Sequence, residues 1–290
     1  MITMTSHHVP VLRPEGFRRM AYVEWAAPAA ETSGTVVCVH GLTRQGRDFD
    51  ALAEVLAGQG RRVLCPDVLG RGASDWLGDK GGYAYPQYLA DMATLLARSG
   101  AEAVDWVGTS MGGLIGLFLA ATPGSSIRRL VINDIGPLVP AEGLLRIGTY
   151  VGEDPLFPDL EAASARLRER TATYGPLPAE RWEAVVRHST RPDPDGKGWR
   201  LAYDPAIALA FQAVQPDQPI DLWAVWDRVT VPVLVIRGAR SDLLPAEVVA
   251  EMQGRGPGCQ VVEVPEAGHA PWLMTPDQMA PVLEFLKGHG

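Results

Sequence analysis

The chain predicts an α/β fold: a mostly parallel, doubly wound sheet with a block of helices inserted between two strands. Three observations carry this. Short Val/Ile/Leu-rich runs recur along the sequence and read as strands buried on both faces. Segments of helical period separate them, an alternation that puts helices on both faces of a parallel sheet. One stretch, residues 137–215, has no clear strand and is too long for a loop of a compact domain.

The strands are expected in order at Arg19 to Trp25, Thr35 to Val39, Arg62 to Cys65, Val104 to Val107, Leu130 to Asn133, Pro232 to Arg237 and Gln260 to Val264. Helices are expected at Asp48 to Gly58, Pro86 to Ser99, Met111 to Ala121, Pro245 to Gln253 and Pro276 to Lys287. In the second helix Tyr88, Leu89, Met92, Leu95 and Leu96 recur at helical spacing and define one apolar face. Within the inserted stretch, Leu144 to Val151, Leu160 to Thr173, Ala179 to Ser189 and Pro205 to Val214 read as helices. Turns such as Gly175-Pro176-Leu177-Pro178 separate them. Residues 1–136 and 216–290 are thus expected to form a core domain, and residues 137–215 a helical cap.

Composition narrows the function. A chain of 290 residues, 47% hydrophobic, can bury a large core. A net charge of −8 and a pI near 5.3 argue against a nucleic-acid partner. No apolar run approaches a membrane span and no secretory leader is evident, so a cytoplasmic location is expected. Cys38 and Cys65 sit in strand-like runs and read as small core residues. With Cys259 they make three, which cannot pair completely. No Cys/His metal spacing occurs, so neither metal nor cofactor is expected.

Gly108-Thr109-Ser110-Met111-Gly112 carries the chemistry. A strand-like run precedes it and a helix-like run follows, the context in which a G-x-S-x-G pattern has meaning. The sharp turn needs glycines on either side of the serine, where a Cβ would collide with neighbouring backbone. The hydroxyl then projects above the sheet beside a helix amino end, which favours developing negative charge.

A serine nucleophile needs a base, and the base an orienting acid. His269 follows the last strand and is the expected base. Asp242 follows the strand before it and is the expected acid. All three groups then stand at the carboxyl edge of the sheet, where open α/β sheets place their sites. Asp134, after Leu130 to Asn133, is a rival acid at the same edge. His7, His8 and His289 lie in ends expected to be frayed, and His188 in the insertion. His40 and Asp67 are expected to anchor loops. The oxyanion formed on attack needs backbone donors, expected from the N–H groups of Met111 and Leu42. Phe211, Trp223, Trp226 and Trp272 are candidate walls of the substrate pocket.

At these residues the chain resembles the α/β-hydrolase superfamily. His40-Gly41 is similar to the oxyanion loop, Asp67 to Asp75 to the D-x-x-G-x-G-x-S loop and Gly108 to Gly112 to the nucleophile elbow. Ser241-Asp242 matches the acid loop and Gly268-His269 the base loop, with the insertion where the family carries its cap. The resemblance implies a capped, cofactor-free serine hydrolase of the carboxylesterase type, acting on small to medium esters or lactones. Carbon–carbon bond hydrolysis and a triad-bearing small-ligand receptor are the alternatives. Serine at 110 disfavours epoxide hydrolase and dehalogenase chemistry, which needs a carboxylate nucleophile.

Overall fold

The computed structural model describes residues 1–27, 33–78, 82–213 and 217–287. Eight strands form one sheet: β1 (Thr3–Arg13), β2 (Gly16–Ala26), β3 (Thr35–Val39), β4 (Arg62–Pro66), β5 (Val104–Thr109), β6 (Ile127–Asn133), β11 (Val233–Gly238) and β12 (Gln260–Val264). Their order is β1-β2-β4-β3-β5-β6-β11-β12. The pairs from β4 to β12 are parallel, and β1 and β2 pair antiparallel at one end. The chain passes from β3 outward to β4 and then returns to place β5 on β3's other side. The crevice above the carboxyl ends of β3 and β5 is therefore the switch point of the sheet.

The central strands are buried on both faces because helices cover both. These are α1 (Asp50–Gly58), α2 (Tyr85–Ser99), α3 (Met111–Ala120), α9 (Ala246–Gly254) and α10 (Pro276–Lys287). Every residue of β3 and β11 is buried. Helix α2 buries Tyr88, Met92 and Leu95, the face its spacing defines, and stops at Gly100 in the left-handed region (φ 69°).

Between β6 and β11 the chain leaves the sheet. This excursion holds α4 (Ala141–Gly148), α5 (Leu160–Arg170), α6 (Ala179–Ser189), α7 (Ile207–Ala213) and, near its end, the single turn α8 (Trp223–Trp226). Two short ribbons accompany them: β7 (Leu138–Val139) with β10 (Ile220–Asp221), and β8 (Thr190–Pro192) with β9 (Trp199–Leu201). The first ribbon ties the start of the excursion to its end. The excursion thus closes several residues later than position 215, which itself lies outside the described residues.

Two expectations are corrected. His7 and His8 are not in a frayed end: β1 pairs with β2 along eleven residues, and the His7 ring stacks on Tyr22 at 5.2 Å. Most of β1 is exposed until Val9 and Val11, so it lacks the apolar alternation that marks a half-buried strand. The excursion contains strands, of two or three residues each, below the length at which a pattern can register. His289 lies outside the described residues. Among the described residues no helix is long and apolar enough to cross a membrane, and no cluster of side chains could hold a metal ion.

Candidate active site

Ser110 sits between β5 and α3 with φ 52° and ψ −115°, a conformation sparsely populated by residues with a Cβ. The surrounding backbone holds it there. Ser110 N–H donates to Asn133 O at 2.9 Å, and Gly112 N–H to His40 O at 3.1 Å. Trp106 Nε1–H donates to Gly112 O at 3.0 Å. A Cβ on Gly108 would run into the Gly112 carbonyl, and one on Gly112 into the Val39 carbonyl. Both glycines are therefore required by backbone contact. Gly41 is different: a Cβ there would stand 3.6 Å from Ser110 Cβ, an ordinary contact, so the oxyanion loop is not crowded at this point.

His269 Nε2 lies 2.9 Å from Ser110 Oγ, within reach of its hydroxyl proton. The other ring nitrogen, Nδ1, lies 2.8 Å from Asp134 Oδ2. Asp134 is fully buried at the end of β6, with φ 59°. Its Oδ1 accepts from Gly238 N–H at 2.6 Å and its Oδ2 from Ser241 Oγ–H at 2.6 Å. These donors leave the carboxylate one orientation, toward the imidazole. With Nδ1 protonated toward Asp134, Nε2 is free to accept from the serine.

The expected acid, Asp242, is thereby corrected. Its carboxylate is turned to Arg146 on α4, which grips it through both Nε and Nη2, the latter at 2.9 Å. Burial raises the Asp242 pKa, but the Arg146 pair outweighs it and holds the carboxyl below its usual range. Both acids lie at the same edge. What separates them is a partner nearly one hundred residues away in sequence, which captures Asp242, and the left-handed backbone at Asp134, which no pattern announces. The one available signal is depth. Asp134 directly follows its strand, whereas Asp242 lies four residues beyond the end of β11.

His40 and Asp67 hold loops. His40 Nε2 accepts from Val68 N–H at 3.0 Å. Complete burial pushes the imidazole down to about 3, so it is neutral. Asp67 accepts from Gly46 N–H at 2.7 Å and Ala73 N–H at 2.8 Å, while burial lifts its carboxyl to about 6. Sequence reading missed Arg71. It is fully buried and ties the Leu42 carbonyl (2.8 Å) to the Leu69 carbonyl and the Tyr88 hydroxyl.

Two cavities meet at Ser110. An apolar chamber of about 280 Å³ lies between Leu42, Met111, Ile135, Leu144, Ile147 and Phe211. A smaller, more polar cleft of about 40 Å³ opens beside His269, with Arg44, Asp48, Tyr150, Tyr174 and Trp272 in its walls. Phe211 lines the apolar chamber and Trp272 the polar cleft. Trp223 and Trp226 line neither. Trp226 is fully buried with its indole N–H on Arg255 O at 2.8 Å, and Trp223 lies under the Arg255 guanidinium. Both are packing residues at the foot of the excursion.

A family model described as the alpha/beta hydrolase fold matches residues 34–273. The chain is an α/β hydrolase. A 3-hydroxybutyrate-oligomer hydrolase of Cupriavidus necator is 46% identical over 286 residues, 97% of each chain. A 2-(acetamidomethylene)succinate hydrolase of Mesorhizobium japonicum is 29% identical over 79% of each chain. Among solved structures, an α/β hydrolase from Novosphingobium aromaticivorans superposes with a TM-score of 0.84 at 35% identity, covering 99% of each chain. In this α/β hydrolase the switch-point crevice, the serine turn and the base loop occupy one edge of the sheet.

Proposed function

We propose that this α/β hydrolase cleaves carboxylic esters through an acyl-enzyme, and that its substrates are short oligoesters of small hydroxy acids. The hydrogen-bonded line Ser110–His269–Asp134 carries the reading of the chemistry. The substrate class rests on the 46% identity with a 3-hydroxybutyrate-oligomer hydrolase. Ser110 Oγ attacks the ester carbonyl carbon as its proton passes to His269 Nε2. Asp134 stabilises the resulting imidazolium and keeps it facing the serine. The tetrahedral oxygen faces the N–H groups of Leu42 and Met111. Among the described hydrogen bonds neither group has another acceptor. His269 then returns the proton to the leaving alcohol. Water repeats the sequence and frees the acid.

The apolar chamber takes the acyl arm, and the polar cleft the alcohol arm. The excursion between β6 and β11 acts as a cap, since it supplies Leu144, Ile147, Tyr150 and Phe211 to the two cavities. Apolar walls on the core side (Met111, Leu114, Ile135) and the excursion side (Leu144, Ile147, Phe211) bound the chamber, which favours short acyl arms.

The test is covalent labelling with a fluorophosphonate, read beside turnover of p-nitrophenyl butyrate and of the linear 3-hydroxybutyrate trimer. The wild-type protein should label once and hydrolyse both. Ser110→Ala should lose the label and at least about a thousandfold of the turnover while keeping its fold. A retained label would place the nucleophile elsewhere.

A further inference from the structure

Beyond the polar cleft lies a third, smaller chamber of about 20 Å³, the room of one small polar group. Thr43, Arg44, Tyr150 and Tyr174 belong to the walls of both, so the chamber continues the cleft away from Ser110. Its lining contains two guanidinium groups, Arg44 and Arg170, and no carboxylate.

The two arginines differ in what balances them. Arg44 is held by Asp48 (Nε to Oδ2, 2.7 Å) and by Ser189 (Nη1 to Oγ, 2.7 Å). With Nη2 also on Asp48 Oδ1, three of its five N–H groups are used. Arg170, the last residue of α5, lies over the rings of Tyr150 (4.7 Å) and Tyr203 (5.6 Å). No ion pair involves it among the described residues. Arg166, one turn earlier, is paired with Glu153 and Glu169. A half-buried cation clamped between aromatic faces, without an acid, leaves its planar fork for an anion. Burial also pushes the Tyr174 phenol well above its usual range, so it stays an O–H donor.

We propose that this chamber is a carboxylate subsite: Arg170 binds the free acid end of a short oligoester, with Arg44 and Tyr174 as further donors. The proposal rests on the ester-hydrolase reading above and deepens it. The enzyme then selects substrates whose alcohol arm ends in a carboxylate, and cleaves near that end rather than within a long polymer. The apolar chamber on the other side of Ser110 offers such an acid no counter-charge.

The experiment compares the linear 3-hydroxybutyrate trimer with its methyl ester, which removes the charge and keeps the rest. Wild-type kcat/KM should favour the free acid by about ten- to a hundredfold, mostly through KM, as expected for one charge-assisted pair. Arg170→Gln should bring the ratio near one, Arg170→Lys should keep part of it, and the exposed Arg168→Gln should leave it intact. Calorimetry of the trimer on Ser110→Ala, with and without Arg170→Gln, reads the same preference without turnover. Loss of hydrolysis of p-nitrophenyl butyrate and both trimers would sink the esterase reading, while calorimetry would still judge the subsite. Equal use of acid and methyl ester by the wild-type protein overturns the proposal. So does an Arg170→Gln loss that is the same for both.

Discussion

Asp134→Asn tests the assignment of the acid most directly, and its effect can be worked from the bonds that the carboxylate makes. Oδ1 faces the Gly238 N–H, a fixed donor that demands an acceptor. The amide of asparagine must therefore put its oxygen there and its NH₂ at the Oδ2 position. That position meets Ser241 and His269. The Ser241 hydroxyl, whose oxygen already accepts from the Leu243 and Leu244 N–H groups, loses its acceptor there. The imidazole can only respond by making Nδ1 the acceptor, which moves its proton to Nε2. Nε2 then points an N–H at Ser110 and can no longer take the serine proton. A wrong tautomer of this kind costs on the order of 10⁴ in kcat, about 5–6 kcal/mol of barrier. Asp242→Asn breaks only a half-exposed pair with Arg146 and should cost less than about tenfold. Steady-state turnover of p-nitrophenyl butyrate decides between them. If Asp242→Asn is the more damaging substitution, the acid is misassigned and the His269–Asp134 contact is not the catalytic one.

Other substitutions and pH separate packing from chemistry. Phe211→Ala should lengthen the apolar chamber and shift preference in a p-nitrophenyl ester series toward longer acyl chains, by about fourfold in kcat/KM per added methylene. Trp226→Ala should instead cost about 3–5 kcal/mol of stability in urea unfolding and leave the chain-length optimum in place. Gly112→Ala drives a Cβ into the Val39 carbonyl, which no side-chain motion can relieve, and should lower stability by about 3 kcal/mol with loss of fluorophosphonate labelling. His40 has a folded pKa far below 6.5, so its contribution is present above pH 6.5 and is lost as pH falls toward 3. At pH 4.5 the loss is about 3 kcal/mol. Asp67 has a raised pKa, so its contribution has the opposite sign. It is full below 3.8, lost as pH rises through 6, and worth about 2 kcal/mol between pH 6 and 4.5. The two nearly cancel. Urea unfolding at pH 7 and 4.5 should show little difference in the wild-type protein and a drop of about 2–3 kcal/mol in Asp67→Asn. An equal drop in both would mean that Asp67 is not the compensating group.

The sheet was readable because its central strands are the least ambiguous kind of sequence: runs rich in Val, Ile and Leu buried on both sides, as in β3 and β11. The serine turn was readable for a related reason. Its two glycines are imposed by backbone contacts so close that the pattern and the geometry are the same statement. Reading failed where a long-range side-chain partner decides. Asp134 and Asp242 differ in neither residue type nor sheet edge; Arg146, a residue of the excursion, holds Asp242, and left-handed backbone presents Asp134 to the imidazole. Trp223 and Trp226 failed similarly: an aromatic pair near a pocket looks the same whether it faces the cavity or Arg255. The first strand failed because its outer half has no buried face to leave a period in the sequence.

The ribbon of β7 with β10 has a consequence for how this molecule can vary. Leu138–Val139 and Ile220–Asp221 are hydrogen-bonded neighbours, so some eighty residues depart from the sheet and return to the same place. To the rest of the chain that length is one closed loop, and closing a loop grows costlier only with the logarithm of its length. Added length in the excursion is therefore cheap in chain entropy, whereas Thr173, whose hydroxyl donates to His269 O at 3.2 Å, is a point at which the base loop feels a change. Arg146, Phe211 and Arg170 all hang from the ribbon. Under the proposed reading, what selects the substrate hangs from a part of the polypeptide that is joined to the reactive edge twice, once at the ribbon and once where Thr173 meets the loop of His269.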